Sequence, residues 1–147
     1  MPLRYVLDTN VLVAAFRSQK GASRRILLSA LDQDIAVILS VPLMIEYEAV
    51  LTREDQLEVT GLTTAETNAI LDSLVAVSTP VHLRFLWRPQ LKDPADEMVL
   101  ETAVNGGAQR LVTFNLRHLG QVASKFGIMA LTPPDAWKEI VSLNEKK

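Results

Sequence analysis

The sequence predicts one α/β domain, a mostly parallel sheet with helices on both faces. Three observations predict it. Short apolar runs of strand length alternate with segments of helical spacing along all 147 residues, the pattern of repeated strand–helix–strand units. Several runs are continuously apolar, Tyr5-Val6-Leu7 and Ala36-Val37-Ile38-Leu39 among them, as strands covered on both faces require. No repeat, low-complexity tract or linker divides the chain, so residues 1–147 read as a single domain large enough for its own core.

The first strand closes on Asp8, followed by polar Thr9 and Asn10 and then by helical spacing over 10–17. A carboxylate at the carboxyl end of a buried parallel strand stands where α/β sheets place their ligands. Asp8 or Thr9 could equally cap the next helix. Gly21 breaks that helix and a second runs over 22–31, with Arg17, Lys20, Arg24 and Arg25 clustered around the break. This cluster is either a solvated face or a phosphate-binding patch.

Ala36 to Ser40 forms a second strand, and Ser40 with Pro42 opens a helix to Leu51. Leu43, Met44, Tyr47, Val50 and Leu51 share one face of it, which Glu46 flanks. Glu46 is a rim residue or, half-buried, one that needs a cation or another partner. Arg53 to Gly61 is polar and reads as a loop. Thr63 and Glu66 have the spacing of a capping box for a helix to Val77. Leu83, Phe85 and Trp87 alternate with more polar neighbours and predict a strand. Arg84, Trp87, Arg88 and Lys92 make it basic and aromatic, as a single-stranded nucleic acid surface or an edge-strand rim would be.

Asp93-Pro94-Ala95-Asp96 opens the next helix, with Asp93 as cap and Pro94 at the first helical position. Acids belong at helix amino termini for electrostatic reasons alone. The same field favours the ionised carboxylates that a hard cation needs. Gly106-Gly107 ends this helix. A strand over 110–113 leads into Phe114-Asn115, then come a helix over 116–126, a short strand over 128–131 and a closing helix over 134–143.

Composition excludes several chemistries. There is no cysteine and only two histidines, so thiolate zinc sites, thiol nucleophiles and imidazole-rich metal sites are ruled out or disfavoured. Formal net charge is −2, which gives no bulk signal for nucleic acid and leaves that to local patches. Arg4 and Asp8 interrupt any amino-terminal apolar core of a signal peptide. No apolar run approaches the roughly 20 residues that span a bilayer, and a cytoplasmic protein is expected.

Four polar stations remain: Asp8, Glu46, the pair Asp93 and Asp96, and Thr113 with Asn115. Several carboxylates without thiols suit Mg2+ or Mn2+. Such ions activate water and neutralise a scissile phosphate without a histidine base.

The segments Val6-Leu7-Asp8-Thr9-Asn10-Val11, Leu43-Met44-Ile45-Glu46-Tyr47, Asp93-Pro94-Ala95-Asp96-Glu97 and Val112-Thr113-Phe114-Asn115-Leu116-Arg117 together resemble the PIN-domain nucleases. The likeness is greatest to the toxin-component branch of bacterial and archaeal toxin–antitoxin pairs, and it covers nearly the whole chain. The resemblance implies a three-layer α/β/α fold with strand order 3-2-1-4-5. It implies metal-dependent cleavage of single-stranded RNA, a cognate antitoxin protein and a homodimer. Carried over residue by residue, it makes Asp8, Glu46, Asp93 and Asp96 catalytic. Asp8, Glu46, Asp96 and Asn115 become metal ligands, with Asn10 and Thr113 in support. Many relatives have aspartate where this chain has Asn115, which weakens the expected second metal site. Arg17, Lys20, Arg24, Arg25, Arg84, Arg88 and Arg117 are the candidates for holding RNA. A binding module that cuts poorly is the alternative. A phosphotransfer domain is disfavoured, because Asn10 stands where aspartate-nucleophile phosphatases carry a second acid and the paired acids of receiver domains are missing.

Overall fold

The computed structural model describes residues 3–84, 91 and 93–145. Five parallel strands form one sheet in the order β3-β2-β1-β4-β5. They are β1 (Arg4–Leu7), β2 (Ala36–Ser40), β3 (Thr79–Val81), β4 (Arg110–Val112) and β5 (Met129–Leu131). Between β1 and β2 lie α1 (Thr9–Arg17) and α2 (Ala22–Leu31). Between β2 and β3 lie α3 (Val41–Leu51), α4 (Glu54–Thr60) and α5 (Thr64–Val77). α6 (Pro94–Asn105) leads to β4, α7 (Leu116–Lys125) to β5, and α8 (Pro133–Glu145) closes the described chain. Right-handed crossovers place the connections to β2 and β3 on one face and those to β4 and β5 on the other. The sheet is therefore the middle of three layers, as expected.

The central strands carry the core. Tyr5, Val6 and Leu7 of β1, Ile38 of β2 and Leu111 and Val112 of β4 are almost wholly shielded from solvent. Leu12 and Ala15 of α1, Leu43, Tyr47 and Leu51 of α3, and Val99 and Ala103 of α6 pack in the same core. α8 is tied to it by Glu139, which accepts from the Tyr5 hydroxyl at 2.8 Å and from Arg110 Nε at 2.9 Å.

The local signals acted as read in most places. Ser40 Oγ accepts from the Leu43 amide to cap α3. Both bonds of the Thr63–Glu66 capping box are present. Two elements differ from the sequence reading. The segment read as a loop from Arg53 to Gly61 contains α4, with Glu54 and Asp55 in its first turn and Gly61 closing it at φ 75. Its buried inward residue is Gln56, so the apolar repeat that marks a helix is missing. The third strand lies at Thr79–Val81, before the predicted alternation begins, and His82 to Arg84 follow it without strand pairing. Among the described residues β3 pairs with β2 alone, so Pro80 costs no ladder bond on its open side. Residues 85–90, which carry the rest of that predicted strand with Trp87 and Arg88, and Lys92 lie outside the described residues.

Candidate functional site

The chain leaves β1 toward β2 on one side and later returns to place β4 on the other. The strand order thus reverses between β1 and β4, and their carboxyl ends flank the crevice where open α/β sheets bind ligands. Asp8 follows one and Thr113 the other. The Asp8 amide donates to Val112 O at 2.9 Å, which extends the ladder one residue past β1.

Asp8 occupies the N-cap position of α1, yet its carboxylate makes no capping bond of the usual kind. It turns instead to Thr113, whose hydroxyl donates to Asp8 Oδ2 at 2.7 Å. The same hydroxyl oxygen accepts from the Asn115 amide at 2.9 Å. Asn115 in turn holds the N-cap position of α7 without capping it, and its Nδ2 donates to Asp96 Oδ2 at 3.3 Å. A continuous chain of bonds therefore runs from Asp8 through Thr113 and Asn115 to Asp96. It joins the end of β1, the end of β4 and the first turn of α6.

Both carboxylates are withdrawn from water, with Asp8 5% and Asp96 6% exposed. Burial pushes Asp8 up from 3.8 to about 6. The Thr113 hydroxyl and the Thr9 amide oppose the rise, and the charges of Asp96 and Asp93 add to it. Asp96 is raised by burial and then by Asp93, while the charge of His118 and the Asn115 amide pull it back. Asp93 is exposed, and its Oδ1 accepts from the Ala95 amide at 2.9 Å as the cap of α6. It adds field to the pair while serving the helix.

Other expected residues are placed differently. Asn10 is partly buried, and its Oδ1 accepts from the Phe114 amide at 3.4 Å. Glu46 is half-buried on α3, one residue before Tyr47, whose hydroxyl donates to the carbonyl of Leu7. Among the described residues no three His, Cys, Asp or Glu side chains gather closely enough to hold a metal ion, so Glu46 does not join Asp8 and Asp96 in such a group. Carboxylates repel one another when no cation lies between them.

Of the cations, Arg117 is exposed in the first turn of α7, two residues from Asn115. Arg17 stands at the far end of α1, about 13 Å along the helix from Asp8 at 1.5 Å per residue. There Arg17 donates to Gln56 and Arg24 to the carbonyl of Ala15, both at 2.6 Å, and both line a cleft of about 450 Å³ between α1, α2, α4 and α5. Lys20 and Arg25 are exposed beside that cleft's helices. Arg84 lines a separate cavity of about 400 Å³ with Arg4 and His82. Arg88 lies outside the described residues. Sequence reasoning passed over His118, whose charge reaches Asp96, and Phe114, an exposed aromatic between Thr113 and Asn115. Their spacing from Asn115 was the available signal.

The donors suit a hard dication. They are oxygens, two of them from carboxylates that burial and mutual repulsion make costly to ionise. Magnesium is typically held by one or two carboxylates with water and substrate phosphate completing the shell, without a full protein cage. Asp8 and Asp96 are two carboxylates of the kind such a site uses.

A family model described as PIN domain matches residues 4–117. No curated protein matches the sequence. Among solved structures, VapBC2 from Rickettsia felis bound to a DNA fragment from its promoter shares the fold with a TM-score of 0.58 at 14% identity, over 88% of this chain and 98% of that one. FitAB bound to an IR36 DNA fragment does so with a TM-score of 0.54 at 16% identity, over 90% and 95% of the two chains.

Proposed function

We propose that this chain, which belongs to the PIN-domain family, is a metal-dependent endoribonuclease that cuts single-stranded RNA and serves as the toxin of a toxin–antitoxin pair. The observation that carries the reading is the two buried acids, Asp8 and Asp96, linked through Thr113 and Asn115 at the reversal point of the sheet. Asp8 and Asp96 would hold Mg2+ or Mn2+, with Glu46 and the neutral Asn115 as the further candidate ligands. The bound ion supplies a polarised water and neutralises charge on the phosphodiester. Thr113 fixes Oδ2 of Asp8, and Asn115 does the same for Asp96. The two acids are thereby oriented by neighbours at the ends of β4 and α7. Asp93 keeps the first turn of α6 in place and adds negative field. Arg117, exposed two residues after Asn115, is the cation assigned to an RNA phosphate in this reading.

The partner reading follows from the shared fold and the likeness of the sequence to toxin components. The cleft bearing Arg17 and Arg24 suits an acidic amphipathic segment of an antitoxin. A homodimer is supported by apolar side chains that α3 leaves in solvent. Its inner face enters the core while Val41 and Ile45 stand 72% and 60% exposed near Val75.

A second reading, RNA binding with feeble cleavage, is favoured by the neutral Asn115 and the lack of a three-acid group among the described residues. Incubating the purified protein with a mixed RNA pool in Mg2+, Mn2+ or chelator separates them. Cleavage at defined sites that needs metal and is lost in Asp8→Asn and Asp96→Asn supports the nuclease. Absent cleavage, or cleavage indifferent to chelator, overturns it.

A further inference from the structure

We infer that Phe114 is a stacking platform for an unpaired RNA base next to the phosphodiester that Asp8 and Asp96 address. The inference rests on the proposed RNA site. It adds a residue that touches substrate and supplies affinity independently of metal.

Phe114 is 52% exposed, although the residue before it, Thr113, is fully buried. A single exposed apolar side chain is ordinary. This one differs in where it stands and how it is held. The Thr113 amide donates to Leu131 O at 2.9 Å, the Phe114 amide to Asn10 Oδ1 at 3.4 Å, and the Asn115 amide to Thr113 Oγ1 at 2.9 Å. Three successive amides are thus anchored, one by Asn10 of the turn that bears Asp8 and one by Thr113, whose hydroxyl itself bonds Asp8. The ring is carried on backbone whose position relative to Asp8 and Asp96 is set. Preorganised positioning of this kind is what lets a contact improve binding without an ordering cost.

The run that continues from it presents Leu116, 37% exposed, and then exposed Arg117 and His118. An exposed ring with basic side chains next to it in the chain is the combination that binds single strands, with bases on rings and phosphates on cations. The electrostatics of the site give the ring its use. Asp8, Asp93 and Asp96 repel phosphate, so backbone contacts alone hold RNA poorly here. Stacking is insensitive to that repulsion, because a base carries no net charge. Every base offers a π-face, so the platform fixes where the strand sits without reading its sequence. Phe114 also lies between β4 and α7, so truncating it leaves the core untouched.

The test uses a single-stranded oligoribonucleotide carrying 2-aminopurine, bound to Asp8→Asn protein so that the strand stays intact. Phe114→Ala, Phe114→Leu and Phe114→Trp are added to that background, with thermal melts to confirm folding. The Ala and Leu proteins are expected to bind roughly 5- to 100-fold more weakly, the range for one stacked base, and to lose the stacking-dependent quench. The Trp protein should keep both. Equal affinity and quench for Phe and Ala overturn the inference. So does full retention by Leu, which keeps apolar bulk without a ring. The wild-type cleavage assay runs alongside. If it shows no metal-dependent cutting while the Phe114 series behaves as expected, the nuclease reading fails and the platform stands on binding.

Discussion

Asp8 carries a cost that the fold imposes for the sake of the site. Its carboxyl titrates at about 6 in the folded chain against 3.8 ordinarily. Below the lower value both states hold the proton and nothing is lost. As pH rises between the two, the unfolded chain releases its proton first, so the native state loses stability. Above the higher value the loss is complete, roughly 3 kcal/mol at about 1.4 kcal/mol per unit. Asp8→Asn removes the charge and preserves the shape, and its amide oxygen can still accept from Thr113. Without metal, urea melts at pH 7.5 should show this variant more stable than wild type by about 1–3 kcal/mol, with the gap closing near pH 4. Its RNA cleavage should be lost. A variant less stable at pH 7.5 would mean that the carboxylate is held favourably. Asn115 is the second residue where charge is informative. Asn115→Asp places a negative ligand next to Asp96, so the magnesium concentration for half-maximal cleavage should fall. Overlapping titrations of the two proteins would leave Asn115 a structural role. Asp8 and Thr113 were legible as polar residues at the ends of apolar runs. Phe114 was not, because an exposed aromatic matches no catalytic motif and gains meaning only from its anchored neighbours.

α6 links the acids to the far end of the sheet. Its first turn holds Asp96, and Gly106 at its other end lies against β2 and β3. Gly106 has an ordinary helical conformation, so its role is space. A Cβ there would stand 2.6 Å from Ile38 Cδ1 and 2.7 Å from Val81 Cγ2. Both neighbours are buried, and Arg4 Nη1 donates to the Gly106 carbonyl at 2.9 Å. Gly106→Ala should therefore cost about 1–3 kcal/mol through overpacking, read as a lower urea midpoint. An unchanged midpoint would show that the helix end shifts freely. The sequence signalled that Gly106 ends a helix, but the close approach needs the third dimension. The same limit hid α4. Its one buried residue is the polar Gln56, so hydrophobic periodicity has nothing to report. β3 escaped because Pro80 looks like a breaker until the strand is known to be an edge.

For the molecule as a whole, alternation of strands and helices was enough to read the class, while the strand order came from the resemblance of four motifs and not from periodicity. That order makes Asp8 and Thr113 neighbours. Assembly can be tested on the face of α3 turned away from the core. Ile45→Lys puts a charge among the exposed apolar side chains of Val41 and Val75, and sedimentation should show the proposed dimer weakened to monomer at micromolar concentration. An unchanged mass would rule out this face as the contact of the proposed dimer.

Metal, acidity and stability are linked through the same pair of acids. A ligand that binds only the folded chain stabilises it by about 2.7 kcal/mol at a hundredfold excess over its dissociation constant. For magnesium that gain requires ionised carboxylates. Asp8 releases its proton only near pH 6, and Asp96 is also raised. If the pair holds the ion as proposed, proton and metal compete for it, and metal affinity falls as the acids protonate. At pH 7.5, millimolar Mg2+ should raise the melting temperature of the wild-type chain by several degrees, as about 2–3 kcal/mol does for a domain of this size. At pH 5 the increment should fall to about half through Asp8 alone and further through Asp96. Asp8→Asn should lose most of it at both values, since one carboxylate is gone and the repulsion that the cation relieved is gone too. A general salt effect predicts the opposite pattern, equal increments in both proteins at both pH values. Calcium chloride and sodium chloride at matched ionic strength distinguish a specific site from screening. If magnesium stabilises Asp8→Asn as much as wild type, the ion does not bind between Asp8 and Asp96.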